Sequence, residues 1–267
     1  MRVWWCTTGP LMSLPLHAAG IYEGTHQESV FDYAISSYIP TISIWTNRVR
    51  RPKSHDLQQT GVCMVSQSEA PGLPRIPGTR EEIARVAAIV EKEPDIKAVR
   101  LEDAAATKDT VLSAMENHSW IHLACHGCQD PKEALRSGFA LADGRLEAST
   151  IIKRNSKNAE FAFLSACQTS TGDVTLSEES VHLAAAMLVA GYRGVVGTMW
   201  SINDRHAPTV AEDFYGQLLN RSGSVRGKKR LDGEQAAWAL HYAVQRLRKR
   251  VGDSNYLVWA PYVHFGV

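Results

Sequence analysis

The sequence contains no apolar run of the roughly 18 residues that a membrane-spanning helix needs, so no membrane partner is expected. It also lacks an excess of charge of either sign: 29 Lys and Arg stand against 28 Asp and Glu, a net charge of +1. That balance gives no electrostatic reason to expect nucleic acid as a partner. Cysteine is scarce and odd in number, with Cys6, Cys63, Cys125, Cys128 and Cys167 scattered along the chain. Such a set does not form a disulfide framework, so a reducing, cytoplasmic location is expected. Internal repeats and long low-complexity tracts are absent too. What remains is ordinary: 267 residues, 44% hydrophobic and 21% charged, enough for a sizeable core without disulfides or metal. Met1 to Gly20 has a faint outline of a secretory leader in Arg2 and Ala18-Ala19-Gly20. Gly9-Pro10 and Pro15 interrupt its apolar stretch, and the segment is read as part of the fold.

From residue 61 onward, short apolar runs alternate with helical patterns. GVCMVS at 61–66, residues 96–101, WIHLAC at 120–125, FAFLSA at 161–166 and RGVVGTM at 193–199 read as strands. Helices are expected over 79–90 with Thr79 as N-cap, over 107–116 with Thr107 as N-cap, from Ser177 or Glu178 to Ala190, over 204–219 and over 234–250. Residues 2–7 suit an edge strand, and 29–50 suit either helix or strand. Pro and Gly cluster at 71–78 and mark a loop. The basic run Arg226-Gly227-Lys228-Lys229-Arg230 reads as a solvated loop in a chain of near-zero net charge. Continuous apolar strands separated by helices imply an α/β fold. Its sheet is mostly parallel, of about six strands, with helices on both faces.

In such sheets, functional groups gather beyond the carboxyl ends of strands. His126 follows the WIHLAC strand and Cys167 follows FAFLSA. If the two strands are neighbours, an imidazole and a thiol meet at their ends. Position 167 lies 41 residues beyond position 126, room for a crossover with a helix and loop. The chemistry needs such a pair, because a free thiol is mostly protonated at neutral pH and a base must take its proton. Backbone N–H groups at Gly127 and Cys167 suit an oxyanion hole.

Competing constellations are weaker. Cys125 and Cys128 form C-x-x-C, a redox pattern, and with His122 and His126 they have the residue types of a zinc site. His126 is already wanted as the base, and no second ligand pair appears. Ser165 has no G-x-S-x-G context. Gly191 to Gly194 lacks phosphate-loop spacing and reads as helix termination before a strand.

Three stretches carry a family resemblance. They are His122-Leu-Ala-Cys-His126-Gly127, Phe163-Leu-Ser-Ala-Cys167-Gln-Thr169 and Gly191-Tyr-Arg-Gly-Val-Val-Gly-Thr-Met-Trp200-Ser-Ile-Asn-Asp204. Together they resemble the CHAT domain, a caspase-like domain related to caspases, separases and gingipains. Trp4-Trp5-Cys6-Thr7-Thr8-Gly9-Pro10-Leu11 is similar to the opening strand and turn of that domain. Trp259-Ala260-Pro261-Tyr262-Val263-His264-Phe265-Gly266 is similar to its closing strand, with the residue order somewhat altered.

The resemblance implies a caspase-like three-layer sandwich formed by residues 1–267 as one domain. It implies a cysteine endopeptidase with His126 as base and Cys167 as nucleophile, no carboxylate third member and no cofactor. The alternative is a catalytically silent adaptor on the same fold. CHAT domains usually have sequence before the Trp-Trp strand, often TPR-type repeats, so the chain reads as truncated at its N-terminus. A partner or regulatory module of that kind is expected to switch it on. In separases, the segment matching Trp200 to Asp204 follows a Trp-Asp-Val-Thr-Asp pattern whose final acid faces a basic P1 side chain. Asp204 stands at that acid, whereas Ser201 does not match the first. Asp204 is therefore a candidate for binding Arg or Lys at P1, or else a cap for the following helix. Trp200 is either core or a wall of the cleft. Residues 128–148 and 168–178 are candidate maturation or specificity loops.

Overall fold

A computed structural model of the chain describes residues 1–24, 27–50, 61–128, 130, 132–154, 156, 158–168, 178–225 and 227–267. Within them, side chains are described for all but residues 47–50, 166–168, 178–182 and 225. The sheet strands, in chain order, are β1 (Arg2–Trp5), β2 (Ile35–Tyr38), β3 (Gly61–Ser66), β4 (Lys97–Glu102), β5 (Trp120–Cys128), β6 (Gly138–Leu141), β7 (Gly144–Glu147), β8 (Phe161–Gln168), β9 (Gly194–Thr198) and β10 (Tyr262–Gly266). The main helices are α1 (Ile42–Arg50), α2 (Gly78–Val90), α3 (Lys108–Asn117), α4 (Ala148–Arg154), α5 (Glu178–Ala190), α6 (Ala207–Arg221) and α7 (Ala236–Val251).

Eight strands run across the sheet in the order β1-β2-β10-β9-β8-β5-β3-β4. The hairpin β6–β7 pairs onto the end of β5, making ten strands among the described residues. Each neighbouring pair on the main path is parallel except β9 with β10. The sheet is thus two parallel blocks joined at one antiparallel seam. It is wider than the six or so strands expected from the apolar runs. Strands β2, β6 and β7 are four residues each, and of the three only β6 has a continuous apolar stretch, Phe139–Leu141, too short to single out in the sequence.

Strand periodicity divides the core in two. On β5, Ile121, Leu123 and Cys125 enter one cluster with Val111, Leu112 and Met115 of α3 and Met187 and Leu188 of α5. Trp120 and Ala124 enter the other with Ile83, Val86 and Val90 of α2 and Phe214 and Leu218 of α6. Ile83, Val86 and Val90 are fully buried, each contributing about 1.5–3 kcal/mol of apolar burial.

Helix starts differ instructively. Thr107 caps α3 as expected, accepting from Thr110 N, while Thr110 Oγ1 accepts from Thr107 N at 3.0 Å. Thr79 does not cap α2: the helix begins at Gly78, and Thr79 Oγ1 donates to Ile76 O at 2.9 Å. The Gly78 N–H is instead taken by a carboxylate 126 residues downstream, at Asp204. Local spacing has no way to show a cap supplied from so far away. Residues 29–50 resolve into both alternatives, strand β2 and helix α1. In the basic run, Ser224–Val225 pairs antiparallel with Lys228–Lys229, and residue 226 lies outside the described residues. Among the described residues, no helix is long and apolar enough to cross a membrane.

Candidate active site

Parallel strands end together, so residues at and just past their carboxyl ends share one edge of the molecule. β5 and β8 run beyond the apolar stretches that mark them in the sequence, and His126 and Cys167 lie in their last three residues. β5 carries His126 at that edge, β8 carries Cys167, and the segment after β9 carries Trp200 and Asp204. β5 and β8 are hydrogen-bonded neighbours, and Cys167 is the direct register partner of His126. Paired positions on adjacent strands lie about 4.8 Å apart. Gln168 is likewise paired with Gly127, and Gly127 is paired on its other side with Phe139 of β6. Of the candidate oxyanion residues, Gly127 therefore follows His126 directly in β5, and Cys167 is itself a member of the candidate dyad.

His126 is fully buried, and its Nε2 lies 2.7 Å from the carbonyl oxygen of Pro74. A carbonyl only accepts, so Nε2 carries the proton and donates it. In the neutral imidazole this makes Nδ1 the basic nitrogen. Pro74 lies in the loop between β3 and α2, which the Pro-Gly cluster at 71–78 marks in the sequence. The loop is fastened across the strand ends: Gln67 N donates to Ala124 O at 2.9 Å, and Ile76 N donates to Ser68 O at 3.0 Å. Ser68 N and Oγ both donate to Asp103 Oδ1, at 2.9 and 2.8 Å. Asp103 has a left-handed φ of 45°, rare for a non-glycine residue. Burial alone would raise its pKa, but the bonds from Ser68 and Arg80 outweigh it and hold the carboxyl below its ordinary range.

Asp204 is half-buried, and its Oδ2 accepts from Gly78 N at 2.8 Å. It therefore sits at the N-terminus of α2, where the helix dipole favours a negative charge. It does not cap the helix that follows it. α6 has His206 at its N-cap position, with no side-chain cap bond. Trp200 is partly buried, touches both core clusters and donates from Nε1 to Leu257 O at 3.1 Å.

The C-x-x-C pair takes no turn. Cys125 and Cys128 both lie in β5, and residues three apart on a strand face opposite ways. Cys125 is fully buried in the core and Cys128 is partly exposed. His122, also proposed as a ligand with them, is engaged by Glu82 at 2.9 Å. Among the described residues, no group of three His, Cys, Asp or Glu side chains is placed to hold a metal ion. Of the candidate loops, 138–147 is the β6–β7 hairpin, whereas 169–177 lies outside the described residues.

Two groups at this edge had no separate signal in the sequence. The Pro74 carbonyl is backbone and belongs to no motif. Glu82 looks like any polar residue in a helix's first turns, yet it is 1% exposed.

Comparison with known proteins agrees with this fold. The CHAT domain family model matches residues 1–267. Three solved structures share the fold. One is gingipain R, an Arg-specific cysteine proteinase, with a TM-score of 0.58 and 13% identity over 87% of this chain and 54% of that one. Another is the complex of the pro- and mature domains of Porphyromonas gingivalis RgpB, with a TM-score of 0.57 and 11% identity over 87% and 55%. The third is Saccharomyces cerevisiae separase bound to securin, with a TM-score of 0.54 and 16% identity over 89% and 14%. The chain thus spans about half of the gingipain chain and about a seventh of separase. No curated protein sequence matches it. The match over its full length places the chain in the CHAT domain family, on the fold of the caspase-like cysteine peptidases.

Proposed function

We propose that this chain is a cysteine endopeptidase domain acting through His126 and Cys167. The observation that carries this reading is the register pairing of Cys167 with His126, whose Nε2–H is held by the Pro74 carbonyl. In the proposed reaction, His126 Nδ1 takes the Cys167 thiol proton as sulfur adds to the scissile carbonyl. The N–H groups of Gly127 and Cys167 stabilise the oxyanion. Collapse to a thioester breaks the C–N bond, and the proton passes from His126 to the leaving amine. Water, deprotonated by His126, then hydrolyses the thioester and frees the thiol.

Asp204 is the candidate for recognising Arg or Lys at P1, with Trp200 as a wall of the cleft. The Arg specificity in gingipain R's own description supports testing arginine first. Activation by a partner or regulatory module and a cytoplasmic location are part of the same proposal.

The test is labelling by a peptidyl acyloxymethyl ketone with Arg at P1, read by mass spectrometry. The expected result is a thioether on Cys167, formed with loss of the reagent's carboxylate. It should disappear in Cys167→Ala and fall by at least about a hundredfold in His126→Ala, the loss expected for a missing general base. No labelling, or equal labelling of several cysteines, would favour the adaptor reading instead.

A further inference from the structure

Beneath the dyad lies a buried polar cluster that the proposed chemistry does not use. Glu82, in the second turn of α2, is 1% exposed and has both carboxylate oxygens engaged. Oε1 lies 2.9 Å from His122 Nε2, and Oε2 accepts from Ser165 Oγ at 2.9 Å. Tyr215 of α6 places its hydroxyl 3.3 Å from His122 Nδ1. The His122 ring also stacks on Phe163, with centroids 4.6 Å apart. His122 is on the strand of His126, four residues before it. Ser165 is on the strand of Cys167, two residues before it.

We propose that Glu82 is the positioning residue of the dyad: a diagonal brace that holds β5 and β8 in the register where Cys167 meets His126. This inference rests on the peptidase reading. The ladder pairs His122 with Phe163 and Ala124 with Ser165, so the carboxylate crosses from one strand to the other at an offset of two residues. Parallel ladder bonds are evenly spaced, and a slip of two residues keeps every side chain on its own face. The in–out apolar pattern therefore does not by itself exclude such a slip, and the fit of the buried side chains and of the polar brace must select the register. A rigid carboxylate tied to both strands opposes it directly, because sliding breaks one of its two bonds. The brace also reaches the rest of the site. Its helix starts at Gly78, which holds Asp204, four residues after Pro74, whose carbonyl holds His126.

The experiment follows iodoacetamide alkylation of Cys167 by mass spectrometry across pH 5 to 9, with Cys6 as the internal exposed thiol. Iodoacetamide needs no substrate cleft, so it reads the dyad alone. Wild type is compared with Ser165→Ala, Glu82→Gln and Ser37→Ala, and melting temperatures are recorded alongside. Ser37→Ala is the matched control. It removes a buried hydroxyl that accepts from Arg2 Nη2 and bonds His264 Nδ1, away from the dyad. Glu82→Gln keeps an oxygen for His122 and an N–H for Ser165 Oγ.

The expected result is that Ser165→Ala slows Cys167 alkylation roughly tenfold and moves its pH midpoint toward that of a free thiol. Ser37→Ala leaves rate and midpoint unchanged, and Glu82→Gln stays close to wild type. A wild-type rate and midpoint in Ser165→Ala would overturn the brace. So would an equal loss in Ser37→Ala, or a Glu82→Gln rate as low as that of Ser165→Ala. If wild-type Cys167 reacts no faster than Cys6, the peptidase reading itself fails, and the brace with it.

Discussion

A Cβ built at Gly78 would lie 2.5 Å from Asp204 Oδ1 and 2.7 Å from the Asp204 carbonyl oxygen, closer than real Cβ atoms approach. Gly78 therefore fixes where the Asp204 carboxylate can sit. Gly78→Ala must push Asp204 out of its place at the start of α2. If Asp204 faces a basic P1 side chain, this variant loses roughly tenfold in labelling by an Arg-P1 reagent relative to a Leu-P1 reagent. The ratio of the two labelling rates measures it, and an unchanged ratio removes Asp204 from specificity. Residue types at this scale were partly legible. His126 and Cys167 stand out because each follows an apolar stretch of sequence, and the Trp200-to-Asp204 segment stands out by family pattern. Pro74 and Gly78 act through a backbone carbonyl and a missing side chain, and neither has a sequence signature of its own.

A single element, β5, decides how four polar residues of the WIHLACHGC segment are used. The two-residue period of the strand sends His122 to Glu82 and buries Cys125 among Ile121, Leu123 and Phe139 on the other side. Burial and the strand's stiffness keep Cys125 and Cys128 apart, since a disulfide needs Cα atoms within about 7 Å and Cβ vectors that converge. Oxidised glutathione should therefore give no Cys125–Cys128 disulfide in the folded protein. Mass measurement after trapping with iodoacetamide checks this, and a loss of two hydrogen atoms assigned to that pair, their electrons taken up by the oxidised glutathione, would overturn it. A C-x-x-C reads differently in a turn and in a strand, and composition alone does not distinguish the two. The main strands themselves were legible, because burial on both faces demands unbroken apolar runs. Strand β2 and the β6–β7 hairpin were not, because they are short and half their environment comes from distant segments.

Across the whole molecule, three histidines, His17, His241 and His264, lie away from the dyad and line one small pocket with Tyr38 and Tyr262. Burial lowers His17 to about 4, with a bond at Ala260 O opposing and His241 adding to the effect. Burial lowers His264 to about 3, helped by Arg2. Burial also lowers His241 to about 4, although Asp32 opposes it. The sign follows from comparison with the unfolded chain, where histidine takes a proton near pH 6.5. Above that pH both states hold neutral imidazoles, and stability does not change on this account. As pH falls from about 6.5 toward 4, the unfolded chain is protonated first and stability is lost. Each fully buried histidine, His17 and His264, costs up to roughly 1.4 kcal/mol per pH unit in that range. Urea midpoints should be level between pH 7 and 8 and fall steeply below about pH 6. A midpoint flat down to pH 5 would contradict this.

The sequence by itself determined the class of the fold, the helices on both faces and the two strand ends that bear His126 and Cys167. These follow from apolar periodicity and capping, which act over a few residues at a time. Only the tertiary structure decided that β5 and β8 are neighbours in register and that Pro74 holds His126. The same is true of Asp204 at the start of a helix 126 residues away, and of Glu82 tying both strands together. Those contacts join segments distant along the chain. The free energy that selects them comes from burying polar groups with partners, and no local pattern records which partner is chosen.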